Sequence, residues 1–351
     1  MKTQATKTAV LPEYPAAPAL SPLALEKALD LIKTQFAAQL ADELNLHKVS
    51  APLLVKRGSG LNDDLNGSER PVHFAAPALD HQTLEIVHSL AKWKRLKLAR
   101  LGLPAGQGIL TNMRAIRADE VLSSLHSLFV DQWDWEKVIR PEERSLDVLK
   151  DAVRAIYRAL LATAALVDKE LPGLAPQLPH EITFVHTEDL QRTYPHLSPK
   201  QREDAIAKAL GAVFLIGIGG RLQGGEPHDG RAPDYDDWSS PSVGGYQGLN
   251  GDILLWNEPL GRAFELSSMG IRVDAGTLQR QLAIRGCQER AALPFHAALL
   301  AGELPQTLGG GIGQSRLCMF LLGRRHIGEV QASLWPDQMA DDCVRKGLQL
   351  L

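Results

Sequence analysis

Cysteine is scarce in this chain and badly spaced for chemistry. Cys287, Cys318 and Cys343 are the only three in 351 residues, and no two of them form a CxxC pair. That argues against a disulfide framework and against a cysteine zinc site, and it fits a reducing compartment. Charge of one sign is also lacking. A net charge of -3 and a pI near 6.4 exclude a global pull toward nucleic acid or an anionic membrane. Long apolar runs are missing too: Ala159 to Val167 falls well short of a membrane span. Met1 to Pro18 is rich in Ala, Pro and Thr and has no apolar core of a signal peptide. These absences predict a cytoplasmic protein with no membrane or nucleic-acid partner and a disordered extension over 1–20. With 44% hydrophobic residues, no internal repeat and no linker, residues 21–351 read as a single α/β domain with neighbouring antiparallel strands.

What is present begins with a helix start. Ser21 is placed as N-cap and Pro22 at the first helical position, and Leu25, Leu29, Ile32, Phe36, Leu40 and Leu44 follow at helical spacing to a stop near Asn45. Val49 to Val55 reads as a strand whose Pro52 marks an edge or a boundary with another chain. Residues 58–70 are a loop by composition. Leu84 to Val87 predicts a short strand, Ser89 to Arg100 a basic helix, and Gly108 to Ile116 with Ser127 to Trp135 two strands joined by the charged Arg117–Glu120 loop. Helices are expected over 146–171 and after Ser198-Pro199, with a buried strand at 212–218. The Gly-, Asp- and Ser-rich stretch 219–251 is too long for an idle loop. A hairpin over 252–266, helices near 274–285 and 294–302, a glycine run and a helix over 314–323 complete the chain.

Two distant segments carry the strongest chemical signal. Phe264 to Arg272 offers a carboxylate, two hydroxyls and a guanidinium; Gly309 to Arg316 offers bare backbone and then an arginine. The second is no Walker A loop, because no Lys precedes Ser315. Four glycines in five positions cost entropy, and a flat ligand lying on bare backbone under Arg316 would offset it. Arg117 can grip a phosphate or merely pair with Asp119 or Glu120. Glu265, Ser268 and Asp252 are hard oxygen donors of the kind magnesium takes alongside phosphates, or else an ordinary polar strand face. The Asp234–Asp237 run alone reads as solvated, Lys94 and Arg95 as an exposed basic face, Asp63 and Asp64 as turn residues, and His88, His126 and His186 as structural. Gln132, Asp134 and Glu136 alternate with bulky residues and share one strand face, the floor of a polar pocket.

These segments together resemble one family. The first helix with the Pro52 strand is similar to the first motif of the class II aminoacyl-tRNA synthetase core, which forms a dimer interface. Ile109 to Glu136, with Arg117, resembles the second motif, and Gly309 to Leu322, with Arg316, the third. Glu265 followed seven positions on by Arg272 resembles the aspartate-specific branch. The strings His88–Arg95, Val130–Glu136, Arg231–Ser239, Gly248–Leu255 and Phe264–Arg272 narrow the resemblance to the ammonia-dependent asparagine synthetases, or aspartate–ammonia ligases, over residues 21–351. The absence of an anticodon-binding domain and of a basic tract favours that branch over a tRNA synthetase. The Met1-Lys2-Thr3 start lacks the exposed Cys of the glutamine-dependent enzymes. Ser68 departs from the pattern, standing where some relatives carry Cys.

The resemblance implies an antiparallel-type sheet of about eight strands flanked by helices, in a homodimer. It implies a ligase that uses ATP and magnesium to join L-aspartate to ammonia through β-aspartyl-AMP. Arg117 would hold the α-phosphate, Arg316 would stack on adenine over Gly311 and Gly313, and Glu265, Ser268 and Asp252 would hold the metal. Arg272 would grip a carboxylate of aspartate and Asp63 its ammonium. Ser89, Lys94, Gln132 and Asp234 would complete the substrate contacts, with Asp134 receiving ammonia. A catalytically silent regulatory relative, or a ligase for another acidic substrate, are the competing expectations. The first would be expected to lose Arg117, Arg316 or Glu265, all of which are present.

Overall fold

A computed structural model describes residues 20–63 and 69–351. The expected tail over 1–20 therefore falls almost wholly outside the described residues, as do Asp64 and Ser68. In chain order the elements are α1 (Pro22–Leu44), β1 (Leu46–Lys48), β2 (Leu54–Lys56), β3 (His73–Ala76), β4 (Gln82–Ile86), α2 (Ala91–Leu101), β5 (Gly108–Ile116) and β6 (Phe129–Val138). Then come α3 (Leu146–Glu170), β7 (Thr183–His186), α4 (Thr187–Thr193), α5 (Pro199–Leu210), β8 (Ala212–Ile216), β9 (Asn250–Asn257) and β10 (Arg262–Ile271). The chain closes with α6 (Ala275–Arg285), α7 (Pro294–Leu300), β11 (Thr307–Gly313), α8 (Gln314–Leu321) and α9 (Asp337–Arg345).

Local signals explain the first helix. Ser21 Oγ accepts the Ala24 N–H, Pro22 opens the first turn, and Asn45 closes the last in the left-handed region at φ 58°. Its buried stripe of Leu29, Ile32, Phe36, Leu40 and Leu44 packs along α3. The Phe36 ring meets Trp133 at 4.8 Å between centroids.

The eight-stranded sheet runs β1-β5-β6-β11-β10-β9-β8-β7. The pairs β1–β5 and β7–β8 at its two ends are parallel, and the pairs between them are antiparallel. One face is mainly apolar, with Asp131 of β6 as a buried exception that accepts from Ser315. Leu110, Trp133, Trp135, Ile312, Met269, Ile253 and Phe214 pack under α1, α3 and α8 in one continuous core. The opposite face keeps only small clusters, such as Ile109 and Val138 with Leu98, and Leu215 and Leu254 with Leu190. The middle of that face is polar, and it is where the site lies.

Four expectations need correction. Val49 to Val55 is not one strand: β1 leaves the large sheet after Lys48, and β2 joins a separate sheet in the order β2-β4-β3. Pro52 lies in the crossing between the two, where its missing N–H costs no ladder bond. Gly309 to Gly313, read as bare backbone laid open for a flat ligand, is part of β11, a central strand. The α2 basic face is not solvated: Lys92, Lys94 and Arg95 are all buried. Asp234 is not solvated either, being 1% exposed.

The glycines of β11 have a physical reason in the register. Gly309, Gly311 and Gly313 pair with Glu136, Asp134 and Gln132 of β6. A Cβ at Gly309 would fall 2.0 Å from Glu136 Oε2, and one at Gly311 would fall 2.7 Å from Gln132 Oε1 and 2.9 Å from Asp134 Oδ1. Bare backbone is what lets the polar side chains of β6 lean across the sheet toward β10. Gly309→Ala should therefore cost about 3 kcal/mol of stability, from overpacking and displacement of a buried carboxylate. Urea denaturation checks this, and a change below about 0.5 kcal/mol, the range of surface substitutions, would contradict it.

Candidate active site

A cavity of about 370 Å³ opens on the polar face of the sheet. Its floor is built by strands. Gln132 and Asp134 come from β6, Gly311 and Gly313 from β11, and Glu265 and Ser268 from β10, with Arg272 just past the end of that strand. A register shift between Glu265 and Ser267 inserts a bulge into β10. Simple alternation would set Glu265 and Ser268 on opposite faces; the extra residue brings them to the same one. The walls come from loops and helix ends: Asp63, Ser89, Lys94, Arg117 and, from the α8 start, Arg316. Twelve of the fourteen residues expected at the site thus meet at one cavity.

The other two do not line it. Asp252 pairs across the strands with Ser268, and its Oδ1 accepts from Arg231 Nη2 at 2.5 Å. Asp234 sits behind the cavity, accepting from Lys92 Nζ at 3.0 Å and from His296 Nε2 at 2.9 Å. Burial opposes its ionisation, but Lys92 and His296 outweigh that and hold the carboxyl far below its usual range. Its role is to fasten α2, α7 and the 231–239 loop together, and its neighbours Tyr235 and Asp236 are the ones that reach the cavity.

Arg272 is fixed by two carboxylates. Its Nε bonds Glu136 Oε1 at 3.0 Å, Nη2 bonds Glu136 Oε2 at 2.8 Å, and Nη1 bonds Asp236 Oδ1. A guanidinium has five N–H groups. Three are engaged here, leaving one on each terminal nitrogen for a ligand. Burial opposes both charges of the Glu136–Arg272 pair, yet each partner favours the charged form of the other. The Glu136 carboxyl is held low and the Arg272 guanidinium high.

Lys94 is 1% exposed, and its three protons are spoken for. They go to Trp135 O at 3.0 Å, Gly310 O at 2.9 Å and Asp134 Oδ2 at 3.1 Å. Burial pushes its pKa down, against the opposing charges of Asp134 and Glu136. Lys94 therefore positions Asp134 and has no donor left over. Asp134 Oδ1 is buried and accepts no hydrogen bond from the described residues.

At the other end, Arg117 Nε is buried without an acceptor, and its Nη2 reaches His88 O only at 3.5 Å. Asp119 is committed elsewhere, to a fork with Arg70. Arg316 is held flat by two contacts: Nη1 donates to Glu265 O at 3.0 Å and Nη2 to His126 Nε2 at 3.1 Å. Glu265, Ser268 and Asp252 supply two carboxylates and a hydroxyl. Among the described residues there is no group of three or more His, Cys, Asp or Glu that could hold a metal. The donor set suits a magnesium ion that keeps water and brings its own phosphates, and not an ion caged by protein alone.

Sequence reasoning missed Arg231, His126, Glu120, Tyr235 and Asp236, which all line the cavity. The partners of Arg231 lie at Asp252 and Ser268, too far along the chain for spacing to show. His126 carried no ligand spacing, and its role is to accept from Arg316 as a neutral ring. Burial first, then Arg316, push its pKa down to about 4, from 6.5. The sign follows: the unfolded chain takes up this proton below about pH 6.5 and the folded one resists until about 4, so stability falls across that window as pH drops. His126→Gln keeps an acceptor without the titration, so its melting temperature should fall less steeply than wild type between pH 6.5 and 4. Parallel curves by calorimetry would contradict this.

Comparison with known proteins bears on the family and the fold. The family model described as aspartate-ammonia ligase matches residues 23–347. The aspartate–ammonia ligase of Parabacteroides distasonis is 55% identical over 93% of this chain and 94% of its own length. That of Lactobacillus johnsonii is 51% identical over 95% of this chain and 97% of its own. Among solved structures, the asparaginyl-tRNA synthetase of Pyrococcus horikoshii in complex with asparaginyl-adenylate superposes with a TM-score of 0.65 at 15% identity, over 89% of this chain and 69% of that one. The aspartyl-tRNA synthetase of Entamoeba histolytica gives 0.55 at 12% identity, over 88% and 57%. These structural likenesses carry the class II synthetase fold, and the sequence matches carry the family. The chain belongs to the aspartate–ammonia ligase family.

Proposed function

We propose that this chain joins L-aspartate to ammonia at the expense of ATP, through a β-aspartyl-AMP intermediate. A carboxylate is a poor acyl donor because oxide would have to leave. Attack of the β-carboxylate oxygen on the α-phosphorus breaks the bond to pyrophosphate and makes AMP the leaving group instead. Ammonia nitrogen then attacks the acyl carbon, the bond to AMP breaks, and nitrogen loses a proton.

One observation carries the reading. A single cavity holds Arg272 with two N–H groups to spare, Arg117 with an unpartnered Nε, and Asp134 with an unpartnered carboxylate oxygen. Arg272 suits the α-carboxylate of aspartate, and Asp63 its ammonium. Ser89 and the open amide of Gln132 orient the rest. Arg117 meets charge as it develops on the α-phosphate, and Arg316 offers a flat, fixed guanidinium to adenine. Glu265 and Ser268, with Asp252 beside them, would hold magnesium, which when bound neutralises phosphate charge. Asp134 receives ammonium and takes up its proton, with Lys94 holding the carboxylate in place.

The same reading includes a homodimer in the cytoplasm. Leu53, Leu54 and Phe74, exposed around the small sheet that follows Pro52, support an interface there. Among the described residues no helix is long and apolar enough to cross a membrane.

Two substitutions separate the substrate roles. Asp134→Asn should raise the KM for ammonium at least about tenfold while the aspartate KM stays within about twofold, as loss of one charged contact implies. Equal loss of both would refute the assignment. Arg272→Lys keeps the charge but not the fork, so the aspartate KM should rise about tenfold or more with the ATP KM unchanged. An unchanged aspartate KM would remove Arg272 from the substrate role.

A further inference from the structure

Arg231 stands where the metal donors are. Its Nη1 donates to Ser268 Oγ, and its Nη2 donates to Asp252 Oδ1 at 2.5 Å. Its Nε lies 3.5 Å from Asp236 Oδ2, is buried, and makes no hydrogen bond. The guanidinium therefore covers a hydroxyl and a carboxylate out of the three groups suited to magnesium. Two cations cannot share one small set of oxygens in a confined site without strong repulsion.

The backbone beneath it is pinned. Arg285 Nη2 donates to Arg231 O at 3.1 Å and lies 3.4 Å from Gly219 O. Gly219, at φ +106°, lets its loop press against the stem of Arg231: a Cβ there would meet Arg231 Cβ at 2.6 Å. The stem is thus held while the head retains an unsatisfied donor inside the cavity. Such a side chain can change partners without moving the loop that carries it.

We propose that Arg231 is the resident counter-cation of the Asp252–Ser268 site, displaced when nucleotide arrives with its metal, and that on displacement its guanidinium turns onto the nucleotide's phosphates. This rests on the reading of the cavity as a nucleotide site. It gives that site a preference: free divalent cation is kept off by the fixed guanidinium, whereas metal that comes with a triphosphate brings both its own ligands and a new partner for Arg231. The bidentate fork of arginine suits phosphate oxygens as well as it suits Asp252.

The test uses manganese alone as a spectroscopic stand-in for magnesium, with no nucleotide present. Bound Mn2+ is read by electron paramagnetic resonance on the full chain. Arg231→Met keeps the stem and removes the charge, and it should bind Mn2+ at least about tenfold more tightly than wild type, as relief of a unit charge at contact distance implies. Adding Asp252→Asn to that variant should abolish the gain. Affinity unchanged in the folded Arg231→Met protein, or a gain that survives Asp252→Asn, would overturn the proposal. A second readout needs no variant. In wild type labelled at arginine, the Arg231 Nε–H resonance should shift with MgCl2 plus ATP and stay in place with MgCl2 alone. An equal shift with the salt alone, or no shift with either in protein that demonstrably binds ATP, would also overturn it. If wild type fails to bind ATP at all, the nucleotide reading falls instead, and equilibrium dialysis distinguishes that failure from the others.

Discussion

The site hangs on one buried ion pair, Glu136 with Arg272, laid across a strand of bare glycine. Glu136 comes from β6 and Arg272 follows the end of β10, and β11 runs between those strands. Any side chain at Gly309 would fill the space the Glu136 carboxylate occupies. A buried pair of this sort adds little net stability, because desolvation cancels most of the attraction. It does fix geometry, since losing one partner strands a charge at a cost of roughly 3–5 kcal/mol. Asp236 joins on the far side of Arg272, and Lys94 reaches both Asp134 and Glu136. The polar floor is one connected lattice of charge, rigid because every member is held by the others.

The two ends of the cavity are built differently. The end assigned to aspartate and ammonia combines the loop residues Asp63 and Ser89 with a floor of strand residues and the buried Lys94, and ion pairs within the protein hold that floor in place. The end assigned to nucleotide relies on Arg117 at a loop corner, on Arg316 at the start of a short helix, and on Arg231 in the long 217–249 loop. Its cations have partners that a phosphate could replace. A small substrate calls for exact placement, and a large, highly charged one for groups that can rearrange around it.

Much of this was legible in the sequence, and the failures have physical causes. The Ser21-Pro22 start and the apolar spacing to Leu44 gave α1 to within a residue, because capping and periodicity are local effects. The alternation Gln132, Asp134, Glu136 correctly indicated a polar floor. The β11 strand was invisible because glycine carries no alternation, and its bare backbone was attributed to a ligand when neighbouring protein side chains fill the space. Lys94 and Arg95 read as solvated because their partners, Gly310 and Val273 among them, are far away in sequence. Arg231 carries no signal of its own in the sequence for the same reason. The bulge in β10 has no sequence signature, yet it is what puts Glu265 and Ser268 on one face. The resemblance makes Asp234 a substrate contact and composition makes it solvated, and neither can tell a carboxylate facing a cavity from one buried behind it.

The measurement that bears most directly on the central claim is aspartate-dependent exchange of labelled pyrophosphate into ATP, run with and without ammonium chloride. Exchange is expected with aspartate alone, and asparagine with AMP only when ammonium is added. Absence of exchange in protein that still binds ATP and aspartate would contradict an adenylate route and leave the cavity as a binding site without that chemistry.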